Sequence, residues 1–145
     1  MMVNRQKRKG SDWKNQLVKL LEENIDGSIA KRIAGSGAIG TTLGEPLLTG
    51  DVILGVPGFD KKFRIEAKVG YGGVTQVAVK REWFNKIVEE ASNSYSIPVL
   101  ACKFSGSRKA DGVQYFVGLD FSTFCDIINY VNDLRKELDL LYKEK

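Results

Sequence analysis

The chain has 145 residues, is 43% hydrophobic and contains only 3 Pro, enough for one domain with a core of its own. It has no His, and its two cysteines, Cys102 and Cys125, lack CxxC spacing. The usual zinc ligand sets and a histidine general base are therefore excluded. Its net charge is +4, and Arg5, Lys7, Arg8 and Lys9 account for all of it, since the other basic residues balance the acidic ones.

No apolar run approaches the roughly 20 residues of a bilayer span, and no apolar signal core follows the basic start. The expectation is a soluble, cytoplasmic protein, cellular or virus-encoded, with both cysteines reduced. Residues 1–10 read as a flexible basic arm suited to phosphate. Ser11 or Asp12 can cap a helix running to about Asn24, with Trp13, Leu17, Leu20 and Leu21 as its buried stripe. "SIAKRI" reads as a short strand. "AGSGAIGTTLGEPLLTG", Ala34 to Gly50, carries five Gly and one Pro in 17 residues without periodicity. A loop of this length inside a domain is functional or disordered.

"DVILGV", from Asp51, has the apolar run of a buried strand. "FRIEAKVG", Phe63 to Gly70, alternates: Phe63, Ile65, Ala67 and Val69 on one face, Arg64, Glu66 and Lys68 on the other. "VTQVAVK" alternates again, with Gln76, Ala78 and Lys80 on one face. Trp83, Ile87, Val88 and Ala91 have helical spacing. "IPVLACKF" reads as a central strand and "VQYFVGL" as another. From Phe121 onward one long helix carries Phe124, Ile127, Val131, Leu134, Leu138 and Leu141 at heptad spacing. Trp83, Phe121 and Phe124 read as core, and Tyr71 as an exposed ring able to stack on a base. The order predicts an α/β domain, a mixed sheet flanked by helices, over residues 11–120. Residues 121–145 form the C-terminal helix, packed on that domain or at a dimer interface.

If the strands opened by Asp51 and Phe63 pair, one sheet region holds two carboxylates and an ammonium. Asp51 and Glu66, with the backbone carbonyl of Ala67 between Glu66 and Lys68, suit a hard cation, Mg²⁺ or in its place Mn²⁺. Lys68 can orient a water or stabilise charge on phosphorus. The other reading of Glu66 and Lys68 is a solvated, salt-bridged strand face that Arg64 extends. Arg32 and Lys80, with the basic arm, would give an acidic centre a basic rim for a phosphate backbone.

The ordered segments "RKGS", "LVKLL", "RIAGSG", "GDVILG", "IEAK" and "PVLACKF", from about Arg8 to Phe104, resemble the archaeal-type Holliday junction resolvases of the PD-(D/E)xK nuclease superfamily. The resemblance implies a restriction-endonuclease-like fold. It also implies a homodimeric, Mg²⁺-dependent endonuclease that nicks paired strands of branched, four-way DNA. It makes Asp51 and Glu66 metal ligands and Lys68 the catalytic lysine. It gives Arg32 and Ser36 roles in substrate contact and catalysis, and places Lys80 near the scissile strand. Arg5, Lys7, Arg8 and Lys9 join them as DNA-binding candidates. The chain departs from the family pattern at Lys14 and Asn15, where Glu and Arg are expected, and at Gly50, where Pro is expected. Its glycine-rich loop is also longer than in most relatives, and its long C-terminal helix is unlike the usual family ending. Alternatives are a repair or nicking nuclease of the same superfamily, a DNA-binding module with a degenerate metal site, or an interaction domain built on the C-terminal helix.

Overall fold

The computed structural model describes residues 5–33, 51–106 and 108–144, with the backbone alone for residues 5–7. Helix α1 (Arg5–Asn24) leads to β1 (Ile29–Arg32), β2 (Val52–Gly55) and β3 (Phe63–Val69). Then follow α2 (Arg81–Asn93), β4 (Ile97–Lys103), a 3-10 turn (Lys109–Asp111), β5 (Tyr115–Gly118) and α3 (Phe121–Lys143). Among the described residues, five strands form one sheet in chain order, β1-β2-β3-β4-β5. Only β3 and β4 run parallel; the other neighbours are antiparallel. The mixed sheet flanked by helices, ending in a long helix, is the architecture expected from the sequence.

The sheet is covered on both faces. On one, Trp13 and Leu17 of α1 pack against Ala30, Val52, Leu54, Ile65, Ala67, Val99 and Ala101. On the other, Trp83 of α2 packs against Leu100 and Cys102, with Val77, Phe84 and Phe116 at the margin. The alternation of β3 serves this arrangement. Ile65 and Ala67 enter the α1-side core, while Arg64 and Glu66, each 2% exposed, are buried as well. A solvated outer face is therefore not what the charged residues of this strand form.

Three expectations give way. The first helix begins at Arg5 instead of Ser11 or Asp12, so residues 5–10 of the expected flexible arm are helical. Arg, Gln and Lys are good helix formers, and Lys9 Nζ is tied across the domain to Ser105 Oγ at 3.0 Å. "VTQVAVK" is not a strand. β3 already has β2 on one edge and β4 on the other, so these residues have no edge to join. Phe121 and Phe124 are not core: they are 82% and 51% exposed, whereas Trp83 is buried as expected.

The C-terminal helix is capped by Asp120, whose carboxylate accepts from the Thr123 backbone N–H. Tyr130 fixes it to the domain. Its hydroxyl donates to Gly58 O at 2.9 Å, and its ring stacks on Phe59 with centroids 4.9 Å apart. From Val131 to Glu144 every residue is exposed, including Leu134, Leu138 and Leu141. Beyond Ile127, which is partly buried, the heptad seam does not pack on the described residues of its own domain.

Candidate active site

The antiparallel register sets Val52 opposite Ile65 and brings Asp51 to the end of β2 beside the middle of β3. Asp51 N donates to Ile65 O at 2.9 Å, and Ile33 N donates to Asp51 O at 3.0 Å. Glycine-rich segment 34–50, including Ser36, lies outside the described residues, but the chain leaves for it and returns from it at this hydrogen-bonded pair.

The Asp51 carboxylate is buried, and Oδ2 accepts the backbone N–H of Ala67 at 2.9 Å. Its Oδ1 lies 3.1 Å from Lys14 Nζ on α1. A strand residue's N–H and C=O point to the same edge, so the Ala67 carbonyl faces the side where Asp51 sits. Glu66 Oε1 meets two ammonium groups, Lys68 Nζ and Lys86 Nζ, each at 3.3 Å. Glu66 Oε2 is buried and has no hydrogen-bond partner among the described residues. Three lysines therefore face two carboxylates in one cleft of about 660 Å³, whose rim includes Lys9, Tyr71 and Ser105.

Lys68 is held on its other side by aromatic rings. Its Nζ lies 5.2 Å from the Trp83 ring centroid and 6.0 Å from that of Tyr71, within the range of cation–π attraction. Tyr71 adopts φ 59°, a left-handed conformation rare for a bulky residue. An edge-to-face contact with Trp83 at 4.7 Å holds its ring. Lys80 Nζ also lies 5.4 Å from the Tyr71 ring centroid.

Burial lowers the Lys86 pKa, but Glu66 foremost, then Glu90 and Asp51, outweigh that effect and leave it raised. Lys86 is thus a fixed positive charge at neutral pH. Burial pushes the Cys102 thiol up to about 11, with Lys68 opposing. The neutral thiol is favoured by folding, so its contribution to stability is whole below pH ~9 and is lost as the pH climbs towards the folded value. At about pH 8 a thiol reagent should label Cys125 in the native protein and leave Cys102 unmodified until denaturant is added; prompt labelling of both would contradict this burial.

Asp51, Glu66, Ala67 and Lys68 are thus brought together as the sequence suggested. Among the DNA-binding candidates, Lys9 reaches the cleft rim. Arg8 is exposed on α1, and the side chains of Arg5 and Lys7 lie outside the described set. Arg32 is exposed on β1 and donates to Ser11 Oγ at 2.8 Å and Asn15 Oδ1 at 3.2 Å, beside the cleft but not lining it. Lys80 is exposed. Sequence reasoning missed Lys86, although it lies one turn beyond the buried Trp83, on the same side of α2. It marked Lys14 as a departure but not as the partner of Asp51.

The donor set fits a single hard cation: two carboxylates, one with an unpartnered buried oxygen, and a backbone carbonyl. No cluster of three or more His, Cys, Asp or Glu side chains suited to a metal occurs among the described residues.

Fold and cleft together fit a nuclease-type domain: a mixed sheet in which an Asp just ahead of β2 and a Glu-x-Lys on the adjacent β3 meet in one lysine-rimmed cleft. The chain belongs to the archaeal Holliday junction resolvase (Hjc) family, whose model matches residues 5–140. It is also similar to a solved structure, that of Archaeoglobus fulgidus Hjc, described as a Holliday junction resolvase from an archaeal hyperthermophile. Identity is 17% over 79% of this chain and 86% of that one, with a TM-score of 0.48. No curated protein sequence matches the chain. The family's resolvases are nucleases acting on branched DNA, and membership implies a divalent metal ion. No helix among the described residues is long and apolar enough to cross a membrane.

Proposed function

We propose that the chain is a structure-selective endonuclease that resolves four-way DNA junctions by metal-dependent phosphodiester hydrolysis, two protomers placing paired nicks. The observation that carries this reading is the convergence of Asp51, Glu66 and Lys68 in one cleft of a family whose resolvases are nucleases. In this reading Asp51, Glu66 and the Ala67 carbonyl hold Mg²⁺, or Mn²⁺ in its place. The bound ion supplies Lewis acidity to the scissile phosphate and the attacking water. Lys68, fixed between Glu66 and the Trp83 ring, orients that water and offsets charge building on the phosphate. Lys86, the second ammonium on Glu66 Oε1, keeps that carboxylate in place. Lys9, Arg8 and the basic start, with Arg32 and Lys80, take the DNA backbone. Ser36 is assigned to the substrate side.

Two cuts on opposing strands need two sites in fixed relation, which a two-fold dimer provides. The surface we assign to it is the exposed stripe of α3: Phe124, Val131, Leu134, Leu138 and Leu141. A protein helix draws most of its stability from packing of its apolar face, and heptad spacing is what a second copy of the same helix covers best.

The test is Mg²⁺-dependent cleavage of a synthetic four-way junction beside duplex, flap and single-stranded controls. Symmetric nicks in the junction alone are expected. Equal cutting of all substrates would remove junction selectivity, and tight binding without cutting would favour a DNA-binding module. The Leu134→Glu/Leu138→Glu double variant should sediment as a monomer and lose the pairing of nicks; an unchanged dimer would place the interface elsewhere.

A further inference from the structure

We propose that Lys14 is an intramolecular competitor for the divalent cation. Its ammonium holds Asp51 Oδ1 in the ion-free protein and must release it before Asp51 can act as a ligand. The inference rests on the nuclease reading above and adds to it how the ion is admitted.

The two carboxylates of the cleft differ in a way that matters for an arriving cation. Glu66 gathers both of its lysines on Oε1 and keeps Oε2 buried without a hydrogen-bond partner among the described residues. Asp51 has both oxygens engaged: Oδ2 by the Ala67 N–H, Oδ1 by Lys14. The Ala67 contact is between a short side chain and a strand backbone, and neither can move far without disturbing β3. The Lys14 contact is different. Its side chain is 23% exposed against 9% for that of Asp51, and a flexible four-carbon stem lets the ammonium swing to solvent. Lys14 is therefore the partner that yields.

The residue before it explains why the ammonium stands there. Trp13 is buried in the α1-side core, and its indole N–H donates to Ala101 O at 3.2 Å. This fixes the roll of α1 about its axis, and the next residue is thereby aimed at the end of β2. The same geometry would direct a carboxylate at this position toward Asp51 and complete an acidic triad. With lysine, one positive charge is built into the site instead. It compensates the buried Asp51 when no ion is bound, and it must be displaced, at an electrostatic cost, when one is. Weak ion affinity in the absence of DNA follows.

The experiment is a calorimetric titration of the full chain with Mn²⁺, without DNA, for wild type, Lys14→Met, Lys14→Glu, Lys14→Arg and Asp51→Asn. Lys14→Met should bind Mn²⁺ roughly 10- to 100-fold more tightly than wild type, and Lys14→Glu at least as tightly as Lys14→Met. Lys14→Arg, which keeps the charge, should stay near wild type. In EDTA the melting temperature of Lys14→Met should fall below that of wild type, because Asp51 has lost the Lys14 charge at Oδ1. Saturating Mn²⁺ should raise that variant's melting temperature by more than it raises the wild type's. Equal affinities for wild type and Lys14→Met, with binding lost in Asp51→Asn, would overturn the role of Lys14 while leaving Asp51 as a ligand. Unchanged Mn²⁺ binding in Asp51→Asn, or no binding by any variant at millimolar Mn²⁺, would overturn the ligand assignment and this inference with it.

Discussion

Lys68→Ala is expected to slow junction cleavage roughly 10²- to 10³-fold, the usual cost of removing one preorganised charge-stabilising group, while junction binding changes only a few-fold. The reason lies in how the ammonium is held. Glu66 Oε1 attracts it from one side, and the Trp83 and Tyr71 rings face it from another. It is preorganised before substrate arrives and pays little to act. The substitution removes no core side chain: Lys68 is 21% exposed, and Glu66 Oε1 retains Lys86 as its counter-charge. Fold and DNA affinity should therefore survive, which separates a chemical role from a structural one. The measurement is single-turnover cleavage of a four-way junction, with binding followed by gel shift. Cleavage within about three-fold of wild type would sink the assignment of Lys68. Loss of binding in step with cleavage would make it a phosphate contact instead.

Trp13→Ala is expected to destabilise the fold by roughly 3–5 kcal/mol, a large part of the 5–15 kcal/mol typical of a domain. Trp13 is 2% exposed, stacks on Tyr115 at 5.6 Å and hydrogen-bonds to Ala101 O. Truncation leaves a cavity and removes the indole hydrogen bond to Ala101 O in the core that joins α1 to the sheet. Urea denaturation followed by far-UV circular dichroism reads the loss. Trp13→Phe, which keeps most of the volume but not the N–H donor, should cost less. A shift below about 1 kcal/mol for Trp13→Ala would mean that α1 is not anchored through this residue, and would remove the basis for the position of Lys14.

Much of this molecule was legible because alternation and apolar spacing act locally. The 3.6-residue stripe of Trp13 and Leu17 marked the buried face of α1, though not its start, and the run of "IPVLACKF" marked β4. The strict alternation of "FRIEAKVG" marked β3. What failed did so for tertiary reasons. "VTQVAVK" alternates as cleanly as β3, but strand formation needs a free neighbour, and β4 takes that edge by a parallel crossover through α2. Phe121 and Phe124 have the composition of core, but α3 meets its own domain chiefly through Tyr130 and the turn at Gly58–Asp60. Apolar spacing says that a face needs cover, not what provides it.

The site divides in the same way. The sequence by itself determined that Glu66 and Lys68 share one side of a strand, because side chains two apart on a strand must do so. Through its ordered motifs it also pointed to Asp51 as their neighbour and to the resolvase family. It could not determine that the charged side of β3 is buried, since that depends on α2 covering it. Nor could it determine that Lys86 meets Glu66 from a helix twenty residues on, or that Lys14 closes on Asp51 from the first helix. These pairings join positions far apart in the chain, and only the packing of α1 and α2 on opposite faces of the sheet decides them. A lysine standing where a carboxylate is expected is, in sequence, only a departure from a pattern; 3.1 Å from Asp51 Oδ1 it becomes a counter-ion.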